Sequence, residues 1–239
     1  MELRDFAPQV FELHAAGEYE AARKLVVDAQ PHIRATDAET VAFWRICLDA
    51  RTGRTDSALD QLEAAWNRGS WYGSEMLADE DLDGIREDPR FVAATERSAA
   101  AQAAASREPC SPIVRAPAGD VRGTLIALHA AAGRSTHTSR IWAPAVDRGY
   151  QTIAVTSSQK VTSDRATWGD LDRAIADITS QIGNATGPLL VGGRSIGAAV
   201  ALHLATTGVV AASGLIMVAP TIRWDLVPPT SALPTVVLA

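Results

Sequence analysis

The sequence predicts an α/β protein in which a mostly parallel sheet follows an all-α helical-repeat domain. Three observations carry this. Residues 1–106 show helical periodicity and no convincing strand pattern. From Pro112 onward, short apolar runs alternate with helical segments, as in a parallel sheet. Charge also divides there: residues 1–110 hold 21 acidic and 12 basic side chains, whereas 111–239 hold 7 and 10. The expected domains are 1–106 and 107–239.

Composition excludes several classes. At 239 residues and 47% hydrophobic, the chain is long and apolar enough to bury a core. Cys47 and Cys110 are too few for a disulfide framework, and neither has a cysteine or histidine partner at metal-ligand spacing, so reduced thiols, no metal and a cytoplasmic location are expected. The start MELRDFAPQVFELH has charges where a secretory signal would be apolar. Ile196 to Ile222 is long enough for a membrane span, but Thr206-Thr207-Gly208 and Ser213-Gly214 divide it into helix, loop and strand, so no span is expected. No basic cluster interleaves with aromatics, which argues against a nucleic-acid partner. GGRSIG lacks the lysine of a phosphate loop and the glycine spacing of a dinucleotide fold, so no cofactor is expected.

The first helices repeat. In AGEYEAARKLVVDAQ, residues Ala22, Leu25, Val26 and Ala29 recur at spacings of three and four. TGRTDSALDQLEAAWNRG matches it at an offset of 36: Gly53 and Ala58 stand for Gly17 and Ala22, Leu62 and Ala65 for Val26 and Ala29. Residues 6–69 therefore resemble two tetratricopeptide-type units, although the tryptophan expected early in such a unit is not in its place. Such repeats imply a protein partner, or a helical appendage packed on its neighbour. Asp88-Pro89 reads as a cap and first helical position, and AAAQAAAS at 99–106 as the end of that helix or a linker.

The second part lists its strands readily. Ile113-Val114-Arg115 is expected to form a hairpin through Pro117-Ala118-Gly119-Asp120 with the strand Thr124 to His129. Tyr150 to Thr156, Pro188 to Gly193, Ser213 to Ala219 and Pro234 to Ala239 follow. TWGDLDRAIADITSQI forms a crossover helix with Leu171, Ile175, Ile178 and Ile182 on one face, and with Thr167 and Asp170 as a capping box. Gly193-Arg194-Ser195-Ile196-Gly197 fits G-x-S-x-G after a buried strand and before a helix, the context of a nucleophile elbow.

With these residues in order, LIALHAAAG (125–133), WAPAVDRGYQTIAVTSSQ (142–159), WGDLDRAIADI (168–178) and GGRSIGAAVAL (192–202), residues 112–239 resemble the α/β-hydrolase fold and, within it, bacterial carboxylesterase and phospholipase-like predicted serine esterases. The resemblance implies a hydrolase-type, mostly parallel sheet, a small-molecule ester substrate and an acyl-enzyme on Ser195. The backbone N–H of Ile196 would serve the oxyanion hole, and by resemblance so would that of Ala130, where the family generally has glycine. His129, at the strand end, reads as support for the oxyanion loop, and Trp142 and Trp168 as core residues.

The base is harder to place. His203 lies eight residues along the same helix, about 12 Å from Ser195 at ~1.5 Å per residue. The downstream acid is Asp225, and a site built from Ser195, His137 and Asp225 is one alternative. The family's acid normally follows the strand represented here by LPTVVLA, with its histidine later. The expectation is therefore a C-terminally incomplete hydrolase domain whose acid and histidine lie beyond Ala239. The competing expectation is a non-catalytic helical-repeat interaction protein on a degenerate hydrolase scaffold.

Overall fold

The computed structural model describes residues 1–221 and 235–238, which form two compact units, Met1–Ala103 and Ala104–Ala239. The expected strand Pro234 to Ala239 is described over Thr235–Leu238; Asp225 and Ala239 lie outside the described residues.

In the first unit, α1 (Leu3–Ala15) and α2 (Tyr19–Ala29) form one helical hairpin, and α3 (Ala38–Arg51) and α4 (Thr55–Asn67) form another. The repeated glycines close the first helix of each pair. Gly17 and Gly53 have φ of 76° and 72°, and the next residue's N–H reaches back five residues: Glu18 to the Leu13 carbonyl and Arg54 to that of Asp49, both at 2.8 Å. This is the turn in which glycine avoids the left-handed penalty of a Cβ. The repeated alanines, Ala22 and Ala58, are completely buried, because a larger side chain would hold the paired helices apart. A short helix α5 (Ser74–Leu77), a 3-10 turn (Glu80–Ile85) and α6 (Pro89–Ala105) complete the unit. Asp88 caps α6 by accepting from the Arg90 N–H at 2.8 Å, and the alanine-rich run finishes this helix.

The second unit is built on a six-stranded sheet: β1 (Ile113–Arg115), β2 (Gly123–Leu128), β3 (Tyr150–Ala154), β4 (Leu189–Arg194), β5 (Ala212–Val218) and β6 (Thr235–Leu238). Their spatial order is β1-β3-β2-β4-β5-β6, parallel except for β1. The expected hairpin is corrected here, since β1 pairs antiparallel with β3, not with β2. β2 is flanked on both sides by the parallel strands β3 and β4, which leaves three-residue β1 the outer edge of β3.

The crossovers cover both faces. Helices α7 (Ser135–Ile141) and α8 (Ala143–Val146) join β2 to β3, α9 (Leu171–Gln181) joins β3 to β4, and α10 (Ile196–Thr207) joins β4 to β5. The strand order advances one way from β2 and the opposite way from β3 onward, so right-handed crossovers put α7 and α8 on one face and α9 and α10 on the other. Ile126, Leu128, Ile153, Val191, Leu215 and Met217 accordingly pack with Ile178 of α9 and Val200 and Leu204 of α10. On the opposite face the Trp142 ring lies over Gly192 and Leu125, and a Cβ on Gly192 would stand 3.0 Å from it.

The capping box is also corrected. Asp170 itself is the N-cap of α9, accepting from the Arg173 N–H at 3.1 Å, because the helix begins at Leu171 and Thr167 lies three residues ahead of that cap. No helix of the described residues is long and apolar enough to cross a membrane.

Candidate active site

In an open parallel sheet, ligands bind outside the carboxyl ends of the strands where the order reverses. Here the chain leaves β2 toward β3 on one side and leaves β4 toward β5 on the other, so the reversal falls between β2 and β4. The segments at those two strand ends are His129–Gly133 and Arg194–Ser195.

Ser195 joins β4 to α10 with φ 53° and ψ −124°, a backbone conformation that a side chain adopts only when its surroundings impose it. Three contacts impose it. The Ser195 N–H donates to the Val218 carbonyl at 3.0 Å, extending the β4–β5 pairing by one residue. A Cβ on Gly193 would lie 2.2 Å from the Gly197 carbonyl oxygen, and one on Gly197 would lie 2.3 Å from the His129 carbonyl oxygen. The two flanking glycines thus let strand, turn and helix meet backbone to backbone. The Ser195 hydroxyl is half-buried, and the described residue within hydrogen-bond distance of it is Thr221, with Oγ1 at 3.1 Å. No histidine among the described residues touches this hydroxyl. His203 lies two turns along α10, His137 is on α7, and Asp225 is outside the described residues.

The loop after β2 is held firmly. His129 is buried; its Nδ1–H donates to the Ala130 carbonyl at 2.8 Å, its ring stacks on Trp168 at 4.5 Å, and its own carbonyl accepts from Trp168 Nε1 at 2.8 Å. Ala130 is not among the positive-φ residues, so a side chain is tolerated there; Ala132 holds the left-handed position, with φ 47°. Gly133 exchanges backbone hydrogen bonds with Ala166 at 3.0 and 3.1 Å, and Arg165 donates to the Ala132 carbonyl at 3.2 Å. Arg134 pairs with Asp164. The segment 157–168 thus braces 129–134, which the sequence did not disclose: TSSQKVTSDRAT looks like an exposed loop, yet Ser157, Gln159 and Thr162 are buried.

Burial pushes the His129 imidazole down, opposed by the hydrogen bond to Ala130 and aided by the Lys160 charge, to about 4. The ring is therefore neutral at pH 7. Its folded pKa lies below the unfolded value of about 6.5, so the unfolded chain binds the extra proton first as pH falls. The associated stability is fully present above pH 6.5 and is lost on acidification toward pH 4, about 3 kcal/mol in all. A urea midpoint that falls between pH 6.5 and 4, with the fall much reduced in His129→Gln, is the expected result.

A cavity of about 50 Å³ adjoins the junction, lined by Leu128, His129, Ile141, Trp142, Arg194 and Val218 among others. Trp168 is a core residue, but Trp142 is half-buried and faces this cavity.

In the first unit, Cys47 Sγ and carboxylate oxygens of Asp79 and Asp81 lie within 4.8 Å of one another. Sequence spacing concealed this group because α3 and the start of the 3-10 turn, from its cap Asp79 to Asp81, bring it together. Asp81 is already paired with Arg51 and His14, each at 2.8 Å. Burial, then the two carboxylates, push the Cys47 thiol far up, so it stays protonated and is a poor metal ligand.

The mostly parallel sheet, its strand order and the N-terminal helical region together define an α/β-hydrolase-like fold. Residues 4–106 match the family model of the A/B hydrolase-like N-terminal domain. The tetratricopeptide resemblance of these helices rests on the glycine–alanine spacing alone. Among solved structures, an uncharacterized protein from Bacillus cereus is 22% identical, covering 93% of this chain and 74% of its own, with a TM-score of 0.44. An α-β serine hydrolase homologue from Coxiella burnetii is 16% identical (53% and 65% covered, TM-score 0.41). Zea mays acyl-protein thioesterase 2 is 18% identical (53% and 74% covered, TM-score 0.41). No curated protein matches the chain.

Proposed function

We propose that this chain carries the nucleophile of a serine hydrolase that cleaves carboxylic esters through an acyl-enzyme on Ser195. The observation that carries this reading is Ser195 itself, held at φ 53° between two backbone-packed glycines, at the sheet position where such folds bind ligands. The hydroxyl would attack the ester carbonyl and expel the alcohol. The backbone N–H groups of Ile196 and Ala130 would receive the developing oxyanion, while His129, neutral and fixed by Trp168, supports the Ala130 segment and does not act as base. The general base is a histidine that the described residues do not bring to Ser195.

A fluorophosphonate probe on the full-length protein should label Ser195 stoichiometrically, and Ser195→Ala should remain blank. Absence of labelling in a folded protein overturns the reading. It would favour the second one, a non-catalytic interaction protein whose helical hairpins hold a protein partner, which the Ser195–Thr221 contact supports because it engages the hydroxyl with a group that is not a base.

A further inference from the structure

We infer that the cavity beside Ser195 selects esters whose acyl part ends in a carboxylate, with Arg194 as the counter-charge; this rests on Ser195 as the reacting hydroxyl. Side chains alternate along β4, and Gly192 lies under Trp142, so Arg194 stands on that same face, toward α7. Its sheet partner Val218 is on this face too, and both line the cavity. The walls Ile141, Trp142 and Val218 suit a short aliphatic spacer.

Charge decides the end group. Among the described residues the lining holds the cations Arg134 and Arg194 and no carboxylate, in a chain whose net charge is −6. Arg134 is committed to Asp164, whereas Arg194 is exposed and has no carboxylate partner among the described residues. A positive charge beside low-dielectric walls attracts an anion more strongly than an open surface does, and the planar guanidinium fork fits a carboxylate with two parallel hydrogen bonds. Because Arg194 directly precedes Ser195, the acyl carbonyl and its terminal carboxylate would be only a few bonds apart, as in a half-ester of a short dicarboxylic acid.

The test is equilibrium binding to full-length Ser195→Ala protein, so that the readout does not depend on turnover. Monomethyl succinate should bind at least about tenfold more tightly than methyl butyrate, its neutral analogue, as expected for a charge-assisted pair. Adding Arg194→Met should shrink that ratio to about twofold or less, and Arg194→Lys should keep part of it, with thermal midpoints confirming that each variant folds. Equal binding of the two esters, or a ratio unmoved by Arg194→Met, overturns the inference, and so does tighter binding of a phosphate-terminated analogue. Failure of fluorophosphonate labelling in the wild type would instead count against the catalytic reading, so the two failures are distinct.

Discussion

Gly197→Ala should unfold the second unit at a markedly lower temperature than wild type and abolish any reaction at Ser195. The added methyl would lie 2.3 Å from the His129 carbonyl oxygen and 3.0 Å from that of Leu128. Both obstacles are backbone, in a buried strand end, and neither can rotate away. Relief requires α10 to lift off β2, which carries Ser195 with it. Overpacking of this kind costs about 3 kcal/mol or more, corresponding to roughly a 10 °C fall in midpoint for a unit of this size. Gly197 has no positive φ, so the effect is purely one of space. Gly183 supplies the control: its Cβ would meet nothing within 4 Å, and Gly183→Ala should change stability by about 0.5 kcal/mol or less. Differential scanning calorimetry of the two variants checks both statements. Equal midpoints would mean that the junction is not packed backbone to backbone.

Asp49→Ala should have a comparable effect on the helical unit. Asp49 sits on α3 with no exposed surface, and it is held from both hairpins. Arg23 of α2 pairs with it, Ser57 of α4 donates at 2.7 Å, Gln61 donates at 2.5 Å, and Arg45 Nε stands 3.7 Å away. Alanine would leave two half-buried guanidinium groups and two side-chain donors without their acceptor. Breaking a buried pair from one side costs about 3–5 kcal/mol, or roughly 15–20 °C for about a hundred residues. Asp49→Asn keeps a carbonyl acceptor and should recover part of the loss. A midpoint within a few degrees of wild type in Asp49→Ala would show that the network is incidental.

These two sites also mark what the sequence could disclose. The helical hairpins were legible because Gly17 and Gly53 must supply left-handed turns, and Ala22 and Ala58 must be small, at the same offset. The Ser195 junction was legible for the same reason: steric necessity leaves glycine at fixed spacing. What stayed hidden depends on partners far apart in the chain. Whether β1 joins β2 or β3 is settled by which strands occupy the sheet interior, whereas Pro117 to Asp120 reports only that the chain turns. Asp49 reads as an ordinary charge on a helix until Arg23 and Gln61 converge on it. The brace at 157–168 is hidden more deeply, since its polar residues are buried through hydrogen bonds that composition cannot foretell.

That brace has a consequence for how the protein could acquire new substrates. Because Gly133 and Ala166 are tied in both directions and Arg165 holds Ala132, the turn after β2 cannot reshape itself around an unfamiliar molecule without dragging a dozen residues along. Adaptation by loop movement is therefore expensive, and inherited change in preference would run through exposed single side chains such as Ile141 or Arg194, which can be exchanged without disturbing the frame. Narrow tolerance within one protein and easy divergence between relatives then arise from the same rigid turn.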